Sequence, residues 1–178
     1  MIKKEFLLII ILLTTSCSKE PKSEKTKREK NKAEIFIYRN YNVELMDEMT
    51  INLSYDTFLL KQDEYLYRYI NKDGEVLYDF DKKVLIQDKS TIELLLKSSM
   101  SFSINGKSYA VHKYVTGYND IDGCVTHFFS PDFGIIFQYS TTWGNYRELY
   151  QSPNDELVSA LISCMYNERD FYKGCLNE

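Results

Sequence analysis

The chain has 178 residues, a formal net charge of -4 and a hydrophobic content of 44%. Four cysteines and seven glycines are too few for a disulfide-dense miniature scaffold or a collagen-like repeat. Excess negative charge argues against nucleic acid, whose phosphates repel an acidic surface.

The charge is unevenly spread. Residues 1–16 carry +1, residues 18–34 carry +3 from seven basic and four acidic groups, and the remainder carries -8. The first segment has Lys3 and Lys4 at its start, an apolar run from Phe6 to Leu13, and then Thr14, Thr15 and Ser16 before Cys17. That order is a secretory signal. The apolar run is about half the ~20 residues that a membrane span needs.

A cysteine where the signal should be cut resembles the lipobox of bacterial lipoproteins. The usual box has Leu three residues before the cysteine; here Thr14 holds that place and Leu13 lies one further back. The resemblance implies that Cys17 is joined to diacylglycerol through its sulfur and becomes the mature N-terminus. It implies anchoring in the cell envelope. Ser18 follows the cysteine where an Asp would retain the protein in the inner membrane, so outer-membrane delivery is the expectation, on either the periplasmic or the surface side.

Residues 18–33 are mostly charged and lack apolar periodicity. They read as a flexible tether with an rms reach of roughly 20–25 Å. Residues 35–178 then form one β-rich extracytoplasmic domain, large enough to bury roughly two-thirds of its unfolded surface. Fifteen Tyr and ten Phe favour pleated structure.

Strands are predicted at Ile35–Leu45 and Thr50–Leu60, although Asp56 to Ile70 is also compatible with a helix. A hairpin is predicted from Glu64–Ile70 to Glu75–Phe80 around Asn71-Lys72-Asp73-Gly74, with Tyr65, Tyr67 and Tyr69 on one face and Val76, Tyr78 and Phe80 on one face. Further strands fall at Val84–Asp88 and Thr91–Lys97. Asn105-Gly106 is the strongest turn signal, because a two-residue hairpin loop needs positive φ at both positions. It pairs Met100–Ile104 with Lys107–Val115, so Ile104 opposes Lys107 and Phe102 opposes Tyr109. A third hairpin joins Gly123–Phe129 to Ile135–Tyr139 through Ser130–Gly134, and a strand follows at Asn145–Gln151. Ser152-Pro153-Asn154-Asp155 then reads as a helix start with Ser152 as N-cap. Leu157, Ala160, Leu161, Cys164 and Met165 make its apolar stripe. Many strands followed by one helix give an α+β domain. The expected form is a curved antiparallel β-sheet, or half-open barrel, with one C-terminal helix packed on it; a complete barrel is the alternative.

Candidate sites are few. Cys124 and His127 have a ligand-like spacing, but on a strand residues three apart face opposite ways. His112 points away from Phe102 and Val111, towards the side that carries Ser101 and Ser103, and reads as an exposed histidine without a partner. Asn119–Gly123 resembles part of a calcium loop, but Tyr118 and Phe129 stand where the first and last ligands should be, so a polar turn is the expectation. Cys164 and Cys175 are the preferred disulfide pair; three reduced thiols are the alternative. Trp143, in a loop, reads as a lid over the core rather than an exposed anchor. No catalytic triad, phosphate loop or two-histidine metal helix is present. No cofactor or metal site is expected.

These readings point to a non-catalytic binding or accessory module that works with an envelope protein or polymer partner. The alternative is a carrier of an apolar small molecule held between sheet and helix, and a hydrolase comes third. An apolar cavity between sheet and helix favours the carrier; a filled core favours the binding module.

Overall fold

The structure is a computed structural model that describes residues 33–45, 49–118, 123–140, 143–172 and 175. Cys17, the signal and residues 18–32 of the tether lie outside the described residues, as do Asp120 and Asp122 of the calcium-like loop.

The strands are β1 (Ala33–Leu45), β2 (Met49–Asp63), β3 (Leu66–Asn71), β4 (Gly74–Asp79), β5 (Val84–Gln87), β6 (Ser90–Glu93), β7 (Leu95–Ile104), β8 (Lys107–Thr116), β9 (Val125–Ser130), β10 (Gly134–Ser140) and β11 (Asn145–Gln151). Two helices follow, α1 (Asp155–Asn167) and α2 (Arg169–Tyr172). All strands join one antiparallel sheet in the order β6-β5-β4-β3-β2-β1-β11-β10-β9-β8-β7. The sheet curls into a nearly closed barrel with one seam, and the C-terminal helix packs against it. The first and last strands pair with each other, so the seam falls between two strands consecutive in the chain, β6 and β7. Leu94, buried, lies between them, and its N–H donates to the Lys83 carbonyl at 2.8 Å.

Turn chemistry explains the hairpins. Asn71 caps its own turn, its Oδ1 accepting from the N–H groups of Asp73 and Gly74 at 2.9 Å each. Asn105 (φ 52°) and Gly106 (φ 76°) supply the two positive φ values, and the register is the expected one: Ile104 opposes Lys107 and Phe102 opposes Tyr109. The ambiguous stretch after Asp56 is strand throughout, apart from the turn at Glu64 and Tyr65. Tyr65 lies in that turn and is exposed, so it does not share the buried face of Tyr67 and Tyr69. The predicted strand Thr91–Lys97 is divided at Leu94 between β6 and β7.

Alternation along the strands makes two cores. Inside the barrel, Tyr67, Phe80, Tyr114 and Phe129 close the floor; the Phe80 and Phe129 rings stack at 3.7 Å and Tyr67 meets Phe129 edge-on at 4.8 Å. Outside, α1 and α2 cover β7, β10 and β11, with Phe171 and Tyr172 against Phe128, Phe137 and Tyr139. The helix begins later than expected. Asn154, not Ser152, is the N-cap, and Ser152 Oγ accepts from the Asn154 N–H at 3.1 Å in the preceding turn. The buried stripe includes Val158 and Ile162 beside Leu161, Cys164 and Met165.

Buried tyrosines have a specific task. A bulge between Ile135 and Phe137 breaks the β9–β10 ladder. Tyr38 Oη donates to the Ile135 carbonyl at 2.7 Å, and the Ile135 N–H donates to Tyr69 Oη at 2.7 Å. Tyrosines from β1 and β3 thus satisfy backbone groups on the far wall, which would be costly to leave unpaired. Burial raises the pKa of both phenols, keeping them neutral.

Candidate functional site

On several strands the inward positions change character along the barrel axis. On β1 they run Phe36, Tyr38, Asn40; on the antiparallel neighbour β2, read from the same end, they run Leu60, Phe58, Asp56, Ser54. Thr116 on β8, Gln138 on β10 and Arg147 on β11 continue the polar level. One end is therefore plugged by aromatic rings. The other opens as a cup of about 1110 Å³, with Asp73, Gly74, Asp88, Gly117, Gly123 and Trp143 among its lining.

One wall of the cup is a three-residue array. Arg147 Nε donates to Asn40 Oδ1 at 2.7 Å, and Arg147 Nη2 donates to Asp56 Oδ2 at 3.1 Å. Asn40 Nδ2 donates to the same Asp56 oxygen at 2.9 Å. The amide bridges base and acid, fixing both planes. Phe58 lies beneath, its ring centroid 5.7 Å from the guanidinium carbon. Asp56 and Arg147 keep 37% and 38% of their side chains in contact with water, so the pair is hydrated and reachable from the cup.

His127 on β9 stands two strands from Arg147 in the same row, since Gln138 on β10 is the register partner of both. Gln138 Nε2 donates to Tyr78 Oη at 2.8 Å and to His127 Nδ1 at 2.7 Å, while Thr116 Oγ1 lies 3.0 Å from His127 Nε2. With Nδ1 accepting, the ring proton belongs on Nε2 and points at Thr116. Burial, and secondarily the positive charge of Arg147, push the imidazole pKa down to about 3. His127 is thus a neutral, fully bonded group. It holds its proton towards Thr116 and is not placed to remove one from that hydroxyl.

Charge on the cup is unbalanced. Among the described residues Asp56, Asp73, Glu75 and Asp88 line it with Arg147; Arg68, outside the lining, pairs with Glu75 at 3.0 Å, which leaves a net of -2. Trp143 stands at the rim and is 62% exposed, so it is not the lid expected from its sequence.

A second cleft, about 620 Å³, lies between α1 and the outer face of β1 and β11. Its lining is not apolar. Arg39 pairs with Glu148 and stacks over the rings of Tyr41 (5.0 Å) and Tyr150 (4.9 Å). Glu148 also accepts from Tyr41 Oη at 3.2 Å and Tyr166 Oη at 3.3 Å.

The remaining candidates fall apart as sites. Cys124 is joined to Cys175 (Cα–Cα 6.2 Å), which corrects the expected pairing of Cys164 with Cys175; Cys164 is buried on the helix stripe against the sheet. Folding brings Cys175 to the start of β9, a place that loop length alone did not indicate. Cys124 and His127 do not act as a pair. His112 lies on the face opposite to that of Phe102 and Val111, as the register required, but that face is not the exposed one: His112 is half-buried, meets Ser99 Oγ at 2.7 Å and stacks with Phe129, so it is neither exposed nor without a partner. Among the described residues no three His, Cys, Asp or Glu groups converge as a metal site requires. No protein-family model, curated protein or solved structure matches this chain.

Asn40, Asp56, Gln138 and Arg147 were not singled out from sequence. They come from four strands, with Asn40 and Arg147 separated by 107 positions. The available signal was an inward face that turns from aromatic to polar at the same end of neighbouring strands.

Proposed function

We propose that this chain is an envelope lipoprotein, anchored through Cys17, whose barrel is a non-catalytic binding module that takes its ligand at the open mouth. The carrying observation is the cup itself: about 1110 Å³, with a polar array set in a mixed polar and apolar wall above an aromatic floor. Mouths of β-barrels are common ligand sites, and fixed polar groups on strands suit recognition better than mobile loops do. His127 supports a non-catalytic role, because its proton is committed to Thr116 and its pKa is far below neutrality.

The carrier reading is weaker. The cleft between helix and sheet is crossed by the Arg39–Glu148 pair, and an apolar ligand there would desolvate charge without compensation. For an envelope partner, the outer face of β1, β2 and β11 exposes Ile35, Leu53, Tyr55 and Tyr150, an apolar patch of the kind that meets other proteins.

Two measurements test the proposal. Cys17→Ala should release the protein from the membrane fraction; equal membrane retention of both forms would remove the anchor. Trp143, the only tryptophan, reports on the mouth. Fractionated envelope extract should contain a component that shields Trp143 from acrylamide quenching. Unchanged quenching with every fraction would remove the mouth as the binding site.

A further inference from the structure

We infer that the ligand of the mouth is a neutral saccharide chain; this rests on the reading of the mouth as the binding site. Charge narrows the field first. Among the described lining residues four carboxylates stand with Arg147, and Arg68 offsets Glu75 from outside the lining; the remaining excess of two negative charges repels phosphates, nucleotides and acidic polymers. An apolar ligand fails for a different reason: covering Asp56, Asn40 and Arg147 without new hydrogen bonds would leave a hydrated ion pair dry.

The donor and acceptor pattern narrows it further. Asp56 Oδ2 receives both internal bonds, from Asn40 and Arg147. Among the described residues Asp56 Oδ1 and Arg147 Nη1 have no protein partner. An acceptor and a donor therefore remain on one ion pair whose two planes Asn40 bridges. Each sugar hydroxyl both donates and accepts, so two neighbouring hydroxyls answer such a pair: one donates to the carboxylate and the next accepts from the guanidinium.

Aromatic surface completes the match. Trp143 offers an exposed ring at the rim, and the apolar C–H face of a sugar ring can stack on it while the hydroxyl edge meets Asp56 and Arg147. At about 1110 Å³ the cup is slightly larger than the ~300–1,000 Å³ of most small-molecule pockets, and it is open to solvent. A chain of several rings passing through the mouth fits this shape better than one enclosed monosaccharide.

The test uses the full lipidated chain in micelles of a non-glycosidic detergent. Probes are neutral hexose and N-acetylhexosamine oligomers, their monosaccharides, acidic oligosaccharides and short peptides, read by Trp143 emission and calorimetry. Neutral oligomers should bind saturably and more tightly than their monosaccharides. Asp56→Asn and Arg147→Met should each weaken binding by about tenfold or more while thermal unfolding confirms a folded barrel. Arg39→Met, in the outer cleft, should leave binding unchanged. Saturable binding of peptides or anions with no response to neutral sugars would overturn the saccharide assignment while keeping the mouth. Sugar binding lost in Arg39→Met but intact in Arg147→Met would overturn the mouth as well.

Discussion

The buried histidine gives the barrel a pH dependence that can be worked out in advance. His127 is 2% exposed and its pKa is pushed down to about 3, against 6.5 for an ordinary imidazole. In the unfolded chain the ring takes up a proton as pH falls through about 6.5; in the barrel it does not until about 3. Between these values the unfolded state binds more protons, so stability rises with pH. The contribution is complete above about pH 6.5 and is lost on the way down. Each unit corresponds to 1.36 kcal/mol, so about 3 kcal/mol should be gone at pH 4.5. His127→Gln removes the titration while keeping a polar side chain beside Thr116 and Gln138. At pH 7 the variant should be less stable by about 1–3 kcal/mol, because its bonds to these partners will be imperfect. Urea unfolding followed by far-ultraviolet circular dichroism at pH 7 and pH 4.5 measures both proteins. The wild type should lose about 3 kcal/mol more than the variant across this interval. Parallel losses would refute the placement of the ring, as would an NMR titration in which the His127 imidazole protonates near pH 6.

Other consequences follow from single contacts. Gly134 has φ 76°, and a Cβ there would run into Tyr69 Oη, which is held by the Ile135 N–H. Gly134→Ala should cost about 3 kcal/mol from left-handed backbone and overlap together, and Tyr69→Phe in the same chain should make the combined loss smaller than the sum, measured by a double-mutant cycle in urea. The Cys124–Cys175 link spans 51 positions, so Cys175→Ser should cost about 4 kcal/mol by chain entropy; peptide mapping without reductant should recover Cys124 joined to Cys175, and a Cys164–Cys175 peptide would refute it. Glu148→Leu leaves Arg39 without its anion, and thermal unfolding should show a loss of about 2 kcal/mol. That is less than for a fully buried pair, because Arg39 keeps 30% of its side chain in water.

Local chemistry was readable from the sequence where it acts locally. Asn105-Gly106 demands two positive φ values, and this alone set the register of β7 and β8, including the face that His112 shares with Ser101 and Ser103, although that face is not the exposed one its serines suggest. What His112 touches was not readable, since Phe129 reaches it from β9. The helix period was seen but its start was misplaced: Ser152, Pro153 and Asp155 have the composition of a cap, yet they build a turn before Asn154. Tryptophan is more often buried than exposed, and the position of Trp143 on a barrel rim overrides that preference. Short separation favours Cys164 as the partner of Cys175, whereas the fold brings Cys175 to Cys124 at the start of β9.

The cup was invisible for a topological reason that also shapes how it forms. Its polar array joins β1 and β2 to β11, across the pairing that links the first and last described strands. Every other neighbouring pair is a consecutive hairpin and can assemble early, because its loop is short. The β1–β11 closure must wait for the strands between. Arg147 reaches Asn40 and Asp56 only after closure, so the array exists in the complete barrel and in no smaller part of it. The seam, by contrast, falls between β6 and β7, where Leu94 keeps the chain continuous from one edge to the other. A barrel arranged this way places its least constrained pairing away from the polar wall and ties that wall to global folding. Hydrogen exchange at the β1–β11 amides should therefore match global unfolding, while the amides of β6 exchange by local opening.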